Sequence, residues 1–195
     1  ISPRGNLMNS KDFYRYLNTV LSPAMKQVGF VKDKRSIPCW HTGTGERLLY
    51  LMVKTGKYPY QPYIGGDFSL YACLRDTDDP PPQAGDLDLD IFEYADETLK
   101  QRILAQNRAV YGKIAALDVS HLQNADAEYE ILLSQRALTL PSLRFEAETD
   151  RPWIEVNKPL LYLDEADIAV WGGIVADVFA VTTTGVRGGI IHNGR

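Results

Sequence analysis

An α+β domain, with an antiparallel sheet of about four or five strands and helices packed on one face, is the fold predicted by this 195-residue sequence. Three observations lead there. Apolar residues recur at helical spacing near the start of the chain. Period-two patterns replace them between residues 37 and 76, and helical spacing returns after residue 96. Short, turn-like connections between the strand patterns favour antiparallel pairing, because parallel strands need long crossovers.

The first helix begins near Ser10, whose hydroxyl can cap the first turn, with Asp12 where the helix dipole favours an anion. Phe13, Leu17, Val20 and Leu21 form its apolar stripe. Pro23 removes a backbone donor and predicts a kink, or a fresh start capped by Ser22. Gly29 sits where a helix end wants a left-handed residue, and Phe30 follows into the core. Residues 37–42 read as a short strand, and Gly43-Thr44-Gly45 as a hairpin turn. Residues 47–55 are apolar on both faces, as in a central strand. Phe68, Leu70, Ala72 and Leu74 alternate with Ser69, Tyr71, Cys73 and Arg75, as in a strand with one covered face. Leu51 and Val53 join Phe13, Leu17, Phe68 and Leu70 in the expected core.

The order of these features resembles a known family. The helix, Leu21-Ser-Pro23, Val28-Gly-Phe30, the basic run from Lys32 to Arg35, Trp40, the long apolar strand and Phe68-x-Leu70 look like the domain-of-unknown-function family 4304. The resemblance covers residues 10–75, about a third of the chain. Its markers are structural positions, so it implies a fold and carries over no catalytic residue.

Beyond Asp76 the pattern is mostly helical. Pro80-Pro81-Pro82 stiffens a surface connection. Asp96 is placed to cap a helix with Leu99, Ile103, Val110 and Ile114 on its apolar face, and a second helix is expected over residues 125–137. Residues 143–147 are expected to return to the sheet. Asp164 starts a last helix with Ile168, Trp171, Val175, Val178 and Phe179 facing inward. Gly172 and Gly173 weaken that helix by about 1 kcal/mol each, which points to close packing of another element. The expected domain is 8–181. Residues 1–7 read as an added or disordered leader before Met8, and 182–195 as a Gly-rich flexible tail.

Composition bounds the function. No apolar run approaches the ~20 residues that span a bilayer, and no charged-then-apolar leader opens the chain, so a cytoplasmic protein of bacterial type, away from membranes, is expected. Two cysteines, Cys39 and Cys73, are too few for a disulfide framework. Charge is uneven. Residues 1–75 hold 11 Lys+Arg and 4 Asp+Glu, net +7, leaving 10 and 21, net −11, for residues 76–195. Either the two portions neutralise each other within one domain, or the basic portion meets nucleic acid. Lys32, Lys34 and Arg35 are the densest basic spot, and three charges make a poor phosphate track.

Catalytic motifs are lacking: no G-x-S-x-G elbow, P-loop, dinucleotide glycine pattern or H-E-x-x-H occurs. His41, His121 and His192 stand apart, and a Cys39-x-His41 pair offers two metal ligands without a second pair. Residues 86–97 place acidic groups at positions 1, 3, 5 and 12 of a calcium loop, but Ile91 stands at the turn position that requires glycine. No metal or cofactor is expected. The most suggestive surface is the loop Tyr58-Pro-Tyr-Gln-Pro-Tyr63, whose prolines limit entropy loss on binding and whose rings suit a protein contact. Tyr58, Tyr60, Tyr63 and Trp40 are the candidate binding residues.

Three functions follow. The first is a non-enzymatic protein-binding domain, of the immunity-protein kind found beside bacterial toxins. The second is a hydrolase-like enzyme whose acidic residues meet in a cleft. The third is a nucleic-acid binder using the basic first portion.

Overall fold

In the computed structural model, which describes residues 8–35, 37–56, 60–83, 89–120, 127–148 and 159–192, Asn9 rather than Ser10 caps the first helix, α1 (Ser10–Gln27). The reason is spacing. Asn9 Oδ1 accepts from the Asp12 N–H at 3.1 Å while Asp12 Oδ2 accepts from the Asn9 N–H at 3.3 Å, a reciprocal box that Ser10 cannot form because Phe13 stands three residues after it. The helix passes through Pro23 without a fresh start, and the Ser22 hydroxyl donates to Asn18 Oδ1 instead of capping a new turn. At its end Gly29 adopts φ +84°, the Phe30 N–H donates to Met25 O and the Gly29 N–H to Lys26 O, closing the helix and turning Phe30 inward.

Five strands then follow chain order across one antiparallel sheet: β1 (Val31–Lys32), β2 (Cys39–Thr44), β3 (Arg47–Thr55), β4 (Gly66–Asp76) and, much later in the chain, β5 (Leu160–Tyr162). The β2–β3 turn is Gly45-Glu46, with Gly43 and Thr44 still paired in the ladder. β3 is central, paired along its whole length with β4, and its side chains are buried on both faces. A helical turn (Ile91–Tyr94) leads to α2 (Glu97–Ala115), capped by Asp96 as expected; α3 (Ala127–Glu148) and α4 (Glu165–Arg187) complete the order.

The main core lies between one sheet face and α1 with α4. Phe13, Leu17, Leu21 and Met25 from α1 meet Leu51, Val53, Phe68 and Leu70 from the sheet, and Trp171, Val175, Val178 and Phe179 from α4. Each such large side chain contributes about 1.5–3 kcal/mol on burial. Val20 is displaced from the expected stripe, being partly exposed beside Gly172, while Met25 takes a core position. A Cβ on Gly172 would lie 2.7 Å from Val20 Cβ, so this glycine does serve a close helix crossing; Gly173 faces open space. α4 is long and apolar enough to cross a membrane by composition, yet half of that stretch is buried in the protein, against α1 and the sheet.

Elsewhere the sequence reading needs correction. Residues 143–147 are part of α3, not a strand: Leu140 and Leu143, three apart, pack toward α2 and β5 around Val110, Ile114 and Leu161. The segment 182–192 is not a free tail. Residues to Arg187 continue α4 with Thr182, Thr183 and Val186 buried, and the chain beyond is tied to Tyr94, whose hydroxyl donates to Ile190 O and accepts from the His192 N–H. On the far sheet face Cys39, Tyr50, Met52 and Cys73 form a small cluster. Neither cysteine is in a disulfide: they lie on strands separated by β3 and thus at least about 10 Å apart, past the ~7 Å reach of a disulfide. Burial pushes the Cys39 thiol up to about 11, leaving it protonated and unreactive at neutral pH.

Candidate functional site

A cleft of about 570 Å³ opens where the start of β4, α3 and β5 meet. Its first wall is the loop 61–66. Gln61 and Gly65 exchange backbone hydrogen bonds at 3.0 and 2.7 Å, pinching residues 62–64 into a tight turn. Gly65 has φ +77°, and a Cβ there would sit 2.5 Å from Tyr162 O, so the turn needs glycine both for its conformation and for its approach to β5.

The second wall is β5, an edge strand held by side chains. Leu161 pairs with Asp67 on β4, and its own N–H donates to Asn107 Oδ1 at 2.9 Å. Asn107 Nδ2 donates to Pro159 O at 3.2 Å, and Trp171 Nε1 donates to Leu161 O at 2.6 Å. The Leu163 N–H donates to Asp167 Oδ2, while Leu163 O accepts from the Tyr60 hydroxyl. α2 and α4 thereby replace the missing neighbouring strand and keep the edge from open pairing. Lys113 bridges Asp164 and Asp167, which raises its ammonium pKa and ties α2 to the start of α4.

The third wall is α3, which supplies Gln135, Thr139, Ser142 and Leu143. Arg136 anchors this helix: its guanidinium donates to Tyr63 O, Ile114 O and Ala115 O, joining the loop to the exposed carbonyls at the end of α2.

Among the described residues, the charged group in the lining is Asp67. Its carboxylate packs against Gly56, where a Cβ would lie 2.0 Å from Oδ1, and the Gly56 N–H donates to Asp67 O at 2.7 Å. Burial raises its carboxyl above the ordinary range, partly offset by a backbone hydrogen bond, with no cation of the described residues compensating. Burial likewise raises the Tyr162 phenol, and Asp67 adds to that shift. Around the carboxylate stand amide and hydroxyl groups. Gln61 Nε2 donates to Gln135 Oε1 at 3.4 Å, Gln61 Oε1 is buried with no donor among the described residues, and the Thr139 hydroxyl donates to Gln135 O. Ile64, Leu143, Pro159 and Leu161 make the apolar floor.

The tyrosine expectation is revised. Tyr58 lies outside the described residues. Tyr60 and Tyr63 are half-buried rather than presented to a partner. Tyr60 stacks on Tyr162, centroids 5.9 Å apart at 16°, and burial raises its phenol. Trp40 is a core residue, edge-on to Phe179 at 6.3 Å, because its strand position faces α4. Loop and cleft are still linked: the Tyr60 hydroxyl donates to Leu163 O just past β5, and Tyr63 O accepts from Arg136 on α3. Asp67, Gln61 and the α3 residues were not singled out in the sequence. The signal was the Gly65-Gly66 pair at the start of β4, which marks close approach of another backbone.

Other expectations fall as follows. His41 lies against Tyr50, with Nδ1 buried and lacking a hydrogen-bond partner among the described residues. Among those residues, no three His, Cys, Asp or Glu side chains are grouped to hold a metal. Asp86 and Asp88 lie outside the described residues, whereas Asp90 is buried and accepts from the Phe92 N–H. Of the basic residues, Arg15 pairs with Asp12, Arg35 with Asp33, and Arg47 with Asp76, each at 3.0 Å. Arg35 also donates to Pro82 O.

No family model, curated protein or solved structure matches the chain, and the resemblance over residues 10–75 rests on its residues alone.

Proposed function

We propose that this protein is a non-enzymatic binding domain that engages a partner protein at the cleft between residues 61–67, α3 and β5, as an immunity-type protein would. The observation that carries the reading is the cleft itself: about 570 Å³, open to solvent, with an apolar floor and a rim of amides and hydroxyls around one carboxylate. Concave sites of this size and mixed lining suit recognition of an inserted side chain or short segment. A hydrolase-like acidic cleft would need several carboxyl groups converging, and Asp67 is the one supplied by the described lining. A nucleic-acid surface would need cations on one open face, whereas Arg15, Arg35 and Arg47 are each engaged by an aspartate.

The test is a plugged cleft. Thr139 is partly exposed on α3, so Thr139→Trp fills the opening without entering the core. The tagged full chain should lose partner capture from native lysate while its melting temperature stays within about 2 °C. Undiminished capture by the plugged variant would refute the reading.

A further inference from the structure

We propose that the cleft is built for a guanidinium, presented as an arginine side chain of the partner; this rests on the binding reading above. The first support is charge. Asp67 sits half-buried in the wall, and among the described residues no cation pairs with it. Arg136, on the helix that forms the opposite wall, is occupied by Tyr63 O, Ile114 O and Ala115 O. A desolvated carboxylate of this kind gains from an incoming cation, because the pair shares an environment where water screens poorly.

The second support is the balance of donors and acceptors. The Thr139 hydroxyl hydrogen goes to Gln135 O, so its free lone pairs can only accept. Among the described residues Gln61 Oε1 has no hydrogen-bond partner, and the Gln61 amide donates one long bond to Gln135. With the two Asp67 oxygens, these acceptors stand in the rim beside the donors of the Gln61 and Gln135 amides and the Ser142 hydroxyl. A guanidinium offers five N–H donors and no acceptor, and in its planar fork it can engage the Asp67 carboxylate by two parallel bonds.

The third support separates guanidinium from ammonium. Ile64, Leu143, Pro159 and Leu161 make part of the lining apolar. A guanidinium is weakly hydrated and tolerates apolar walls on its faces, and the methylene stem of arginine packs along them; a strongly hydrated ammonium does not.

The experiment titrates the isotope-labelled full chain by nuclear magnetic resonance. The probes are N-acetyl-arginine methylamide, its lysine and glutamine counterparts, and agmatine. The arginine diamide should shift amides at 61–67 and 135–143, the lysine diamide should bind more weakly, and the glutamine diamide should leave the spectrum unchanged. Asp67→Asn should weaken arginine-diamide binding about tenfold, the usual loss for one charge-assisted contact, with its own spectrum reporting an intact fold. Equal shifts from the glutamine diamide, or no shifts from the arginine diamide, would overturn the proposal. Tighter binding of agmatine than of the arginine diamide would overturn the partner side chain in favour of a small free guanidine. If Thr139→Trp abolishes partner capture while the arginine diamide fails to bind, the binding reading stands and the guanidinium assignment falls.

Discussion

Asn107→Ala tests how β5, and with it one wall of the cleft, is held. Asn107 is fully buried in the middle of α2, and its amide serves one backbone group of a three-residue edge strand and one of the residue just before it. Truncation leaves the buried Leu161 N–H without a partner, at about 1–3 kcal/mol. The Pro159 carbonyl is part-buried and can recover a water, so its loss adds less, at most about 1 kcal/mol. The total is about 1–4 kcal/mol. In a chain of this size that lowers the melting temperature by roughly 2–15 °C. Calorimetry or urea unfolding reads the stability, and hydrogen exchange at the Leu161 amide reads the local cause. Asn107→Asp is the informative companion: it keeps an acceptor for the Leu161 N–H but loses the donor to Pro159 O and buries a charge, so it should destabilise at least as much at neutral pH. A melting temperature within about 1 °C of wild type, with the Leu161 amide still protected, would refute the reasoning.

Three further outcomes follow from other contacts. Gly172→Ala should destabilise by about 1–3 kcal/mol through its collision with Val20, while Gly173→Ala, in open space, should stabilise by up to about 1 kcal/mol; thermal melts of the pair that agree in sign would contradict the packing assigned to Gly172 alone. Tyr60→Phe should cost about 0.5–1.5 kcal/mol in urea unfolding by removing the bond to Leu163 O, and Tyr60→Ala more, since the stack on Tyr162 goes too; no loss in either would free Tyr60 for a surface role. Burial raises the Asp67 carboxyl above its ordinary 3.8, so the fold holds that proton at a pH where the unfolded chain has released it. The contribution of Asp67 to stability is therefore lower at neutral pH and rises as pH falls from the raised value toward 3.8. The neighbouring phenols of Tyr71 and Tyr162, themselves raised, stay neutral throughout this range. Asp67→Asn should abolish that slope in urea midpoints taken between pH 7 and 4, and an unchanged slope would place the titration elsewhere.

What the sequence disclosed was local and periodic. The stripes Leu99-Ile103-Val110-Ile114 and Ile168-Trp171-Val175-Val178-Phe179 are buried as read, because on long helices a 3.6-residue period decides which face meets the core. β3 was legible because both its faces are apolar. The cap moved by one residue because the reciprocal bond depends on Asp12 standing three after Asn9. β5 was not legible. Three residues carry no period, and the side chains that complete its edge come from Asn107, more than fifty residues earlier, and from Trp171 on the helix that follows. Residues 143–147 alternate like a strand but consist of helix-compatible residues, and Leu143 packs with Leu140 toward α2. The final segment looked mobile from its glycines, yet Tyr94, almost a hundred positions earlier, fixes it. The cleft was hidden for the same reason: its walls come from residues 61–67, 135–143 and 159–161, which only the closed sheet edge brings together.

The most direct test of the cleft as a binding site is site-specific photo-cross-linking. A benzophenone side chain is placed at Leu138, exposed on α3 beside the cleft, and separately at Lys11, exposed on the first turn of α1. Irradiated in native lysate, the Leu138 protein should give a discrete cross-linked adduct that the Lys11 protein does not, and excess arginine diamide should suppress it. An adduct of equal yield from both positions, or one from Lys11 alone, would contradict the account.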